Sequence, residues 1–265
     1  MRVGLSILAG AVVLVAFELP DPSWGDVVAS LLSAAVLALA MTRSTASGPG
    51  LIAILAGLMF VTSSLINVAE GVLFDVIEPT AAPVALVWAL LASVTAVTVM
   101  VAVAGRLERG AGVAPRPSPI ESAGGLLWRL VASPAVFVVL YFVAGIIIIP
   151  FVEEFYQGRV MPDPLAIVSM QVLRALAMVG AAYPLLRTLP TRADAISVMA
   201  IALPVLGALV PLIPANDVMP VAVRLVHALE TVPYYALFGI LIAVWFGPPR
   251  HRDRSALPAA HAVRV

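Results

Sequence analysis

Polar and ionisable side chains interrupt three strongly apolar segments of the sequence. They are Ser63, Asn67 and Glu70 in the first segment, Gln171 and Arg174 in the second, and Arg224, His227, Glu230, Thr231 and Tyr234 in the third. Most steps within a segment are three or four residues, which is the spacing of one helix face. Such groups cost several kcal/mol inside a lipid bilayer unless they are paired or hydrated, so they mark a site worth examining.

The residue types in these stripes suit the binding of an anion. Two guanidinium groups can hold a carboxylate or phosphate, and two carboxylates balance their charge. A histidine among them would link binding to pH. The predicted ligand-binding residues are Asn67, Glu70, Gln171, Arg174, Arg224, His227, Glu230 and Tyr234. If the site is catalytic instead, Glu230 or Glu70 would act as acid or base, with His227 as its partner.

The composition places these stripes in a membrane. Hydrophobic residues make up 62% of the 265 residues and charged residues only 11%, against about 45–50% and about 25% in soluble domains. The chain has no cysteine, which excludes disulfides, thiolate nucleophiles, iron–sulfur clusters and cysteine zinc sites. No phosphate-binding, dinucleotide-binding or nucleic-acid motif occurs. We therefore expect no cofactor and no nucleic-acid partner, and two arginines near the carboxylates argue against a metal.

The apolar runs predict an all-α bundle of about eight transmembrane spans with the lipid bilayer as its partner. The predicted spans are 3–18, 27–42, 51–72, 84–105, 127–149, 165–186, 194–213 and 220–246. The first span is expected to be retained and not cleaved as a signal peptide. A Pro/Arg-rich linker, 106–126, separates two four-span halves, 1–105 and 127–247, and the tail 248–265 is expected to be disordered.

The arginines predict the orientation. Twelve of the fifteen fall in the N-terminal residues, the even-numbered loops or the tail, and one falls in the odd-numbered loops. The positive-inside rule then places both termini in the cytoplasm. The Lys-free, Ala/Val/Leu/Arg-rich composition is typical of a GC-rich bacterial genome, so the cytoplasmic (inner) membrane of a bacterium is the expected location. This orientation brings all three stripes into the outer half of the bilayer, where we expect one solvated polar cluster.

Two motif resemblances bear on function. The segment Glu153-Glu154-Phe-Tyr-Gln-Gly-Arg159 resembles the EExxxR signature of intramembrane CAAX-type proteases, but its arginine is one residue late and the family's two further histidine motifs are absent. We reject that family and predict an acidic outer loop. The stretches 67–74, 141–156 and 224–239 resemble an uncharacterised family of bacterial multispan inner-membrane proteins. That resemblance implies a helical membrane protein and favours Glu70, Arg224, His227 and Glu230 as site residues.

Three functions remain open from the sequence. The first is a transporter or binding protein for a small polar or anionic ligand, held by Arg174 and Arg224. The second is an intramembrane enzyme acting on a lipid or isoprenoid, which a lateral cleft beside the stripes would favour. The third is a structural or partner-binding subunit, in which the charged pairs only hold helices together. The sequence leaves the oligomeric state open.

Overall fold

The computed structural model of the protein describes residues 1–108, 123–157, 161–215 and 219–249. Within these ranges the chain forms eight helices and no strand, so the all-helical class is confirmed. The helices are α1 (Arg2–Ala16), α2 (Trp24–Arg43), α3 (Gly48–Leu73), α4 (Ala82–Val103), α5 (Ala123–Tyr156), α6 (Pro164–Leu186), α7 (Arg192–Leu212) and α8 (Val221–Phe246). Most of the predicted linker and tail, together with Arg159 and Asp217, lie outside the described residues.

The chain is a multi-pass membrane protein, because seven helices, α2 to α8, are long and apolar enough to cross a bilayer. The first helix has 15 residues, about 22 Å, against a hydrocarbon thickness of about 30 Å. It nevertheless packs closely in the bundle. A Cβ added at Gly10 would lie 2.5 Å from Cγ of Met100 on α4. An eighth crossing by α1 stays a prediction.

The bundle has two chemically distinct ends. We call the end with the connections 17–23 and 74–81 the acidic end, and the opposite end the arginine end. At the arginine end the Arg106 guanidinium donates hydrogen bonds to the carbonyls of Met41, Ser44 and Ala46. Arg43 pairs there with Asp194 at 2.5 Å. This asymmetry matches the charge pattern behind the predicted orientation, which itself stays a prediction.

Two π-helical turns face each other inside the bundle. One spans Phe60–Leu65 in α3 and the other spans Val205–Leu209 in α7. A Cβ added at Gly207 would lie 3.5 Å from the Thr62 carbonyl and 2.7 Å from the ring of Tyr235. Although α7 contains Pro204 and Pro211, it continues as one helix through the π turn at Val205–Leu209. Such turns are frequent at functional sites.

Helix α5 is longer than the sequence predicts. Its apolar run predicts an end at residue 149 because Pro150 follows, but the helix continues through Pro150 to Tyr156. The predicted loop around Glu153 and Glu154 is therefore wrong. Proline removes only one N–H from a helix, and a bilayer offers the neighbouring backbone groups no better partners than the helix itself. The extra two turns carry Tyr156 towards α8.

Candidate functional site

An ion pair joins α3 to α6 in the half of the bundle nearer the acidic end. The Glu70 carboxylate contacts the Arg174 guanidinium. The arginine side chain is only 3% exposed, whereas that of Glu70 is 31% exposed. Arg174 is the eleventh residue of α6, about 15 Å from the start of the helix. A fully charged side chain is thus held at depth by a partner that still reaches the surface.

The π turn of α3 sets the direction in which Glu70 points. A π turn closes its hydrogen bonds over five residues instead of four, so residues beyond it rotate relative to those before it. The Asn67 side-chain amide donates to the carbonyls of Ser63 at 2.9 Å and Thr62 at 3.4 Å. Asn67 therefore satisfies carbonyls of the π turn. Asn67 thereby stabilises the backbone that presents Glu70. The sequence predicts a ligand-binding role for Asn67, whereas its side-chain amide is bonded to the backbone of its own helix.

A second group of side chains links α5 to α8. The Tyr156 hydroxyl lies 3.0 Å from His227 Nε2, and His227 Nδ1 lies 2.9 Å from Glu230 Oε2. In the tautomer in which Nδ1 donates its proton to the carboxylate, Nε2 accepts the phenol O–H. Glu230 is 8% and His227 15% exposed. We call Tyr156, His227 and Glu230 the relay, because they form a continuous path for a proton.

Tyrosines connect the ion pair to the relay. Tyr141 on α5 lies within electrostatic range of Glu70, Arg174 and Glu230, and so does Tyr234 on α8. Tyr235 on α8 also lies within electrostatic range of Arg174 and Glu70. The Glu70–Arg174 ion pair and the relay therefore belong to one region, bounded by α3, α5, α6 and α8. We call this region the polar cluster.

The sequence pattern does not single out three tyrosines of this region, which are Tyr141, Tyr156 and Tyr235. Tyr141, Gly145, Val152 and Tyr156 step by four, seven and four residues, which is one helix face. A Cβ at Gly145 would lie 3.7 Å from Glu230 Oε1, so this face meets the relay. The signal is present in the spacing, but it crosses Pro150, where the sequence predicts the helix to end. Tyr235 offers no such signal, since its neighbour Tyr234 already occupies the predicted stripe.

Several buried polar atoms of the cluster have no hydrogen-bond partner within the described protein. They are both amide atoms of Gln171, Nε of Arg174, and the hydroxyls of Tyr234 and Ser63. Gln171 is 0% and Tyr234 3% exposed. An unpaired buried donor or acceptor costs about 1–3 kcal/mol. This concentration of unpaired groups beside a buried arginine is what a polar ligand would satisfy.

Arg224 lies outside the polar cluster. Its Nη1 donates to the carbonyls of Leu212 at 3.2 Å and Ile213 at 3.0 Å, and to that of Pro214. The last carbonyls of a helix lack partners and carry partial negative charge, so a cation is stabilised there. The sequence places Arg224 opposite the carboxylates. Of these two arginines, the structure brings Arg174 into the polar cluster but not Arg224. Thr231, another polar residue of the predicted α8 stripe, donates a hydrogen bond to the His227 carbonyl of its own helix at 2.7 Å.

The remaining site chemistry is limited. Among the described residues, no group of three His, Asp or Glu side chains is arranged to hold a metal ion. Comparison with protein-family models, curated proteins and solved structures finds no match to this chain.

Proposed function

We propose that this membrane protein binds, and as a transporter moves, a small anionic or polar ligand at the polar cluster. One observation carries the proposal. Arg174 is buried at the centre of four helices, its charge is balanced by the more exposed Glu70, and unpaired polar atoms of Gln171 and Tyr234 lie on the same and the neighbouring helix. A purely structural ion pair needs no such surplus of unpaired donors.

The proposed binding step is an exchange of anions on Arg174. The ligand anion takes the place of the Glu70 carboxylate, which is partly exposed and lies three residues from the end of α3 at the acidic end. Charge on the buried guanidinium stays compensated throughout, so the costly state of a lone buried cation is avoided. Gln171 and Tyr234 then contribute the hydrogen bonds that select the ligand.

The proposal includes an orientation. We place the acidic end, and with it the opening of the polar cluster, on the outer side of a bacterial inner membrane, with eight crossings and both termini inside. The arginine end supports this, since Arg2, Arg43, Arg106, Arg129, Arg187 and Arg192 all belong to it. The π turns of α3 and α7 lie beside the cluster and offer a place where the helices can change register during transport.

Thermal unfolding in detergent tests this site even while the ligand is unidentified. The probes are the sodium salts of phosphate, acetate, succinate and methanesulfonate at equal ionic strength. We expect at least one to raise the melting temperature of the wild-type protein, because a ligand present at about 100 times its Kd adds about 2.7 kcal/mol. Arg174→Gln should abolish the rise, and Arg174→Lys should retain part of it.

Arg224→Gln is the matched control, since it removes a second buried arginine that lies outside the polar cluster. It should lower the basal melting temperature but keep the anion-dependent rise. An unchanged rise in Arg174→Gln, or no rise with any probe in the wild-type protein, would rule out the proposed site.

The relay favours a second candidate function, acid–base catalysis on a lipid or isoprenoid. A carboxylate that orients a histidine, which in turn accepts a proton from a hydroxyl, is the arrangement that activates nucleophiles and general bases. Tyr156→Phe removes only the hydroxyl and keeps the ring. If the protein is such an enzyme, vesicles of bacterial polar lipids incubated with the wild-type protein should accumulate a new lipid species in mass spectra. Tyr156→Phe should lower its rate about 100-fold or more.

His227→Gln is the companion variant, because glutamine hydrogen-bonds but does not take up the proton. Identical lipid profiles with wild-type, Tyr156→Phe and His227→Gln proteins would count against catalysis and leave binding as the function. A new lipid species formed at the wild-type rate by both variants would exclude the relay from the reaction.

A further inference from the structure

An apolar groove runs along the outer surface of the bundle between α3 and α6. Its volume is about 410 Å³, within the usual range of ligand sites of about 300–1,000 Å³. Five of its nine lining residues are glycine or alanine, and the others are Ile54, Val61, Leu65 and Pro184. All are exposed or half-buried, so the groove opens towards the lipid. Along α3 it extends from residue 53 to residue 65, about 18 Å.

The groove and the polar cluster are parts of one helix interface. Leu65 ends the groove on α3, and Glu70 follows five residues later. On α6, Ala177 ends the groove one turn after Arg174, about 4.5 Å along the axis. The Glu70–Arg174 ion pair therefore closes the same α3–α6 interface at the end of the groove nearer the acidic end.

We propose that the ligand of the polar cluster is a single-chain amphiphile whose apolar chain lies in this groove while its anionic head group binds Arg174. The inference rests on the proposed function and adds the chemical class of the ligand. A free small anion does not enter an apolar groove that opens to lipid, whereas the chain of an amphiphile already lies in the hydrocarbon region and can occupy it. The charged end of the amphiphile then lies at the end of the groove beside Ala177, about one helical turn from Arg174 on α6.

A transmembrane helix of a second copy is the competing occupant, because small residues let helices approach closely. An apolar helix would cover the groove but leave the unpaired atoms of Gln171 and Arg174 without partners. An amphiphile fills the apolar groove with its chain, and its head group supplies a partner for the buried polar atoms. The continuity of a charged pair with an apolar trough on the same two helices favours the amphiphile.

Two glycines allow the groove to be filled without disturbing the protein. A Cβ added at Gly57 or at Gly180 meets no atom within 4 Å, so Gly57→Leu and Gly180→Leu place their side chains in the groove. Gly50→Leu is the matched control. It lies on the same helix as Gly57, its added Cβ also meets nothing within 4 Å, and it does not line the groove.

The probe is palmitic acid carrying a diazirine at mid-chain, presented in phosphatidylcholine vesicles, with its methyl ester as the uncharged counterpart. After illumination, peptide mass spectrometry locates the label. We expect the acid to label residues 53–65 or 177–184 about tenfold more than the ester, since the ester lacks the charge that pairs with Arg174. Gly57→Leu and Gly180→Leu should lose this labelling, and Gly50→Leu should keep it.

Arg174→Gln separates failure of the groove from failure of the site. It should lower labelling by the acid to the level of the ester. Unchanged acid labelling in both groove variants, with a loss in Arg174→Gln, would overturn the groove and leave the polar site intact. Equal labelling by acid and ester in the wild-type protein would overturn the polar site and this inference with it. Conversion of an oligomer to a monomer by Gly57→Leu, with labelling unchanged, would assign the groove to a second copy.

Discussion

Replacing Gly239 by alanine is expected to lower the stability of the protein by about 3 kcal/mol or more, and replacing it by leucine to prevent folding. A Cβ at this position would lie 2.3 Å from the Met199 carbonyl oxygen and 2.8 Å from its carbon. These are backbone atoms of α7, so no side-chain rotation relieves the overlap. The two helices would have to separate along an interface that buries Leu203, Phe238 and Ile242.

The measurement is the melting temperature of the purified protein in detergent, together with its elution as a single species. Gly180→Ala is the control, because it also lies within a transmembrane helix but its added Cβ meets nothing within 4 Å. That control should be neutral or slightly stabilising, since alanine favours helix over glycine by about 1 kcal/mol. A melting temperature of Gly239→Ala equal to that of the wild type would mean that α7 and α8 are not packed as described.

Replacing Glu70 and replacing Arg174 are expected to lower the stability of the protein by different amounts. Glu70→Gln leaves Arg174, which is 3% exposed, as a buried charge without a carboxylate and should cost about 3–5 kcal/mol. Arg174→Gln leaves Glu70, which is 31% exposed and can be hydrated, so it should cost about 1–2 kcal/mol. The more exposed residue is therefore the more damaging one to replace.

Denaturant unfolding of both single variants and the double variant Glu70→Gln/Arg174→Gln gives the coupling between the two residues. The double variant should be more stable than Glu70→Gln alone, because it no longer contains a lone buried cation. Equal costs for the two single variants, or a larger cost for Arg174→Gln, would contradict the burial of Arg174. The same measurements show whether Arg174→Gln is folded under the conditions of the anion-binding assay.

The two stability predictions and the binding proposal share one physical basis. Glu70 compensates the charge of Arg174, and Asn67 and the π turn of α3 hold Glu70 in place. The anion that is proposed to bind must replace a carboxylate that the protein already supplies. The site would therefore discriminate against neutral molecules, because only another anion leaves the buried guanidinium compensated.

The apolar runs of the sequence determined the class of the protein and most helix bounds. Lipid leaves a hydrophobic segment of about 20 residues few alternatives to a helix, so α2, α4, α6 and α8 lie close to their predicted ranges. Spacing alone also singled out Glu70, Arg174, His227 and Glu230 as candidate site residues, since charged residues within apolar helices are rare and turn inward. Those four residues lie within the polar cluster that the tertiary structure forms.

Only the tertiary structure decided which partner each polar residue has. Arg224 and Arg174 look alike in sequence, yet one binds carbonyls at the end of α7 and the other pairs with a carboxylate. The continuation of α5 through Pro150 brought Tyr156 to His227. The π turn directed Glu70 towards α6. These outcomes depend on contacts between helices far apart in the chain, whereas hydropathy and helical period describe one segment at a time.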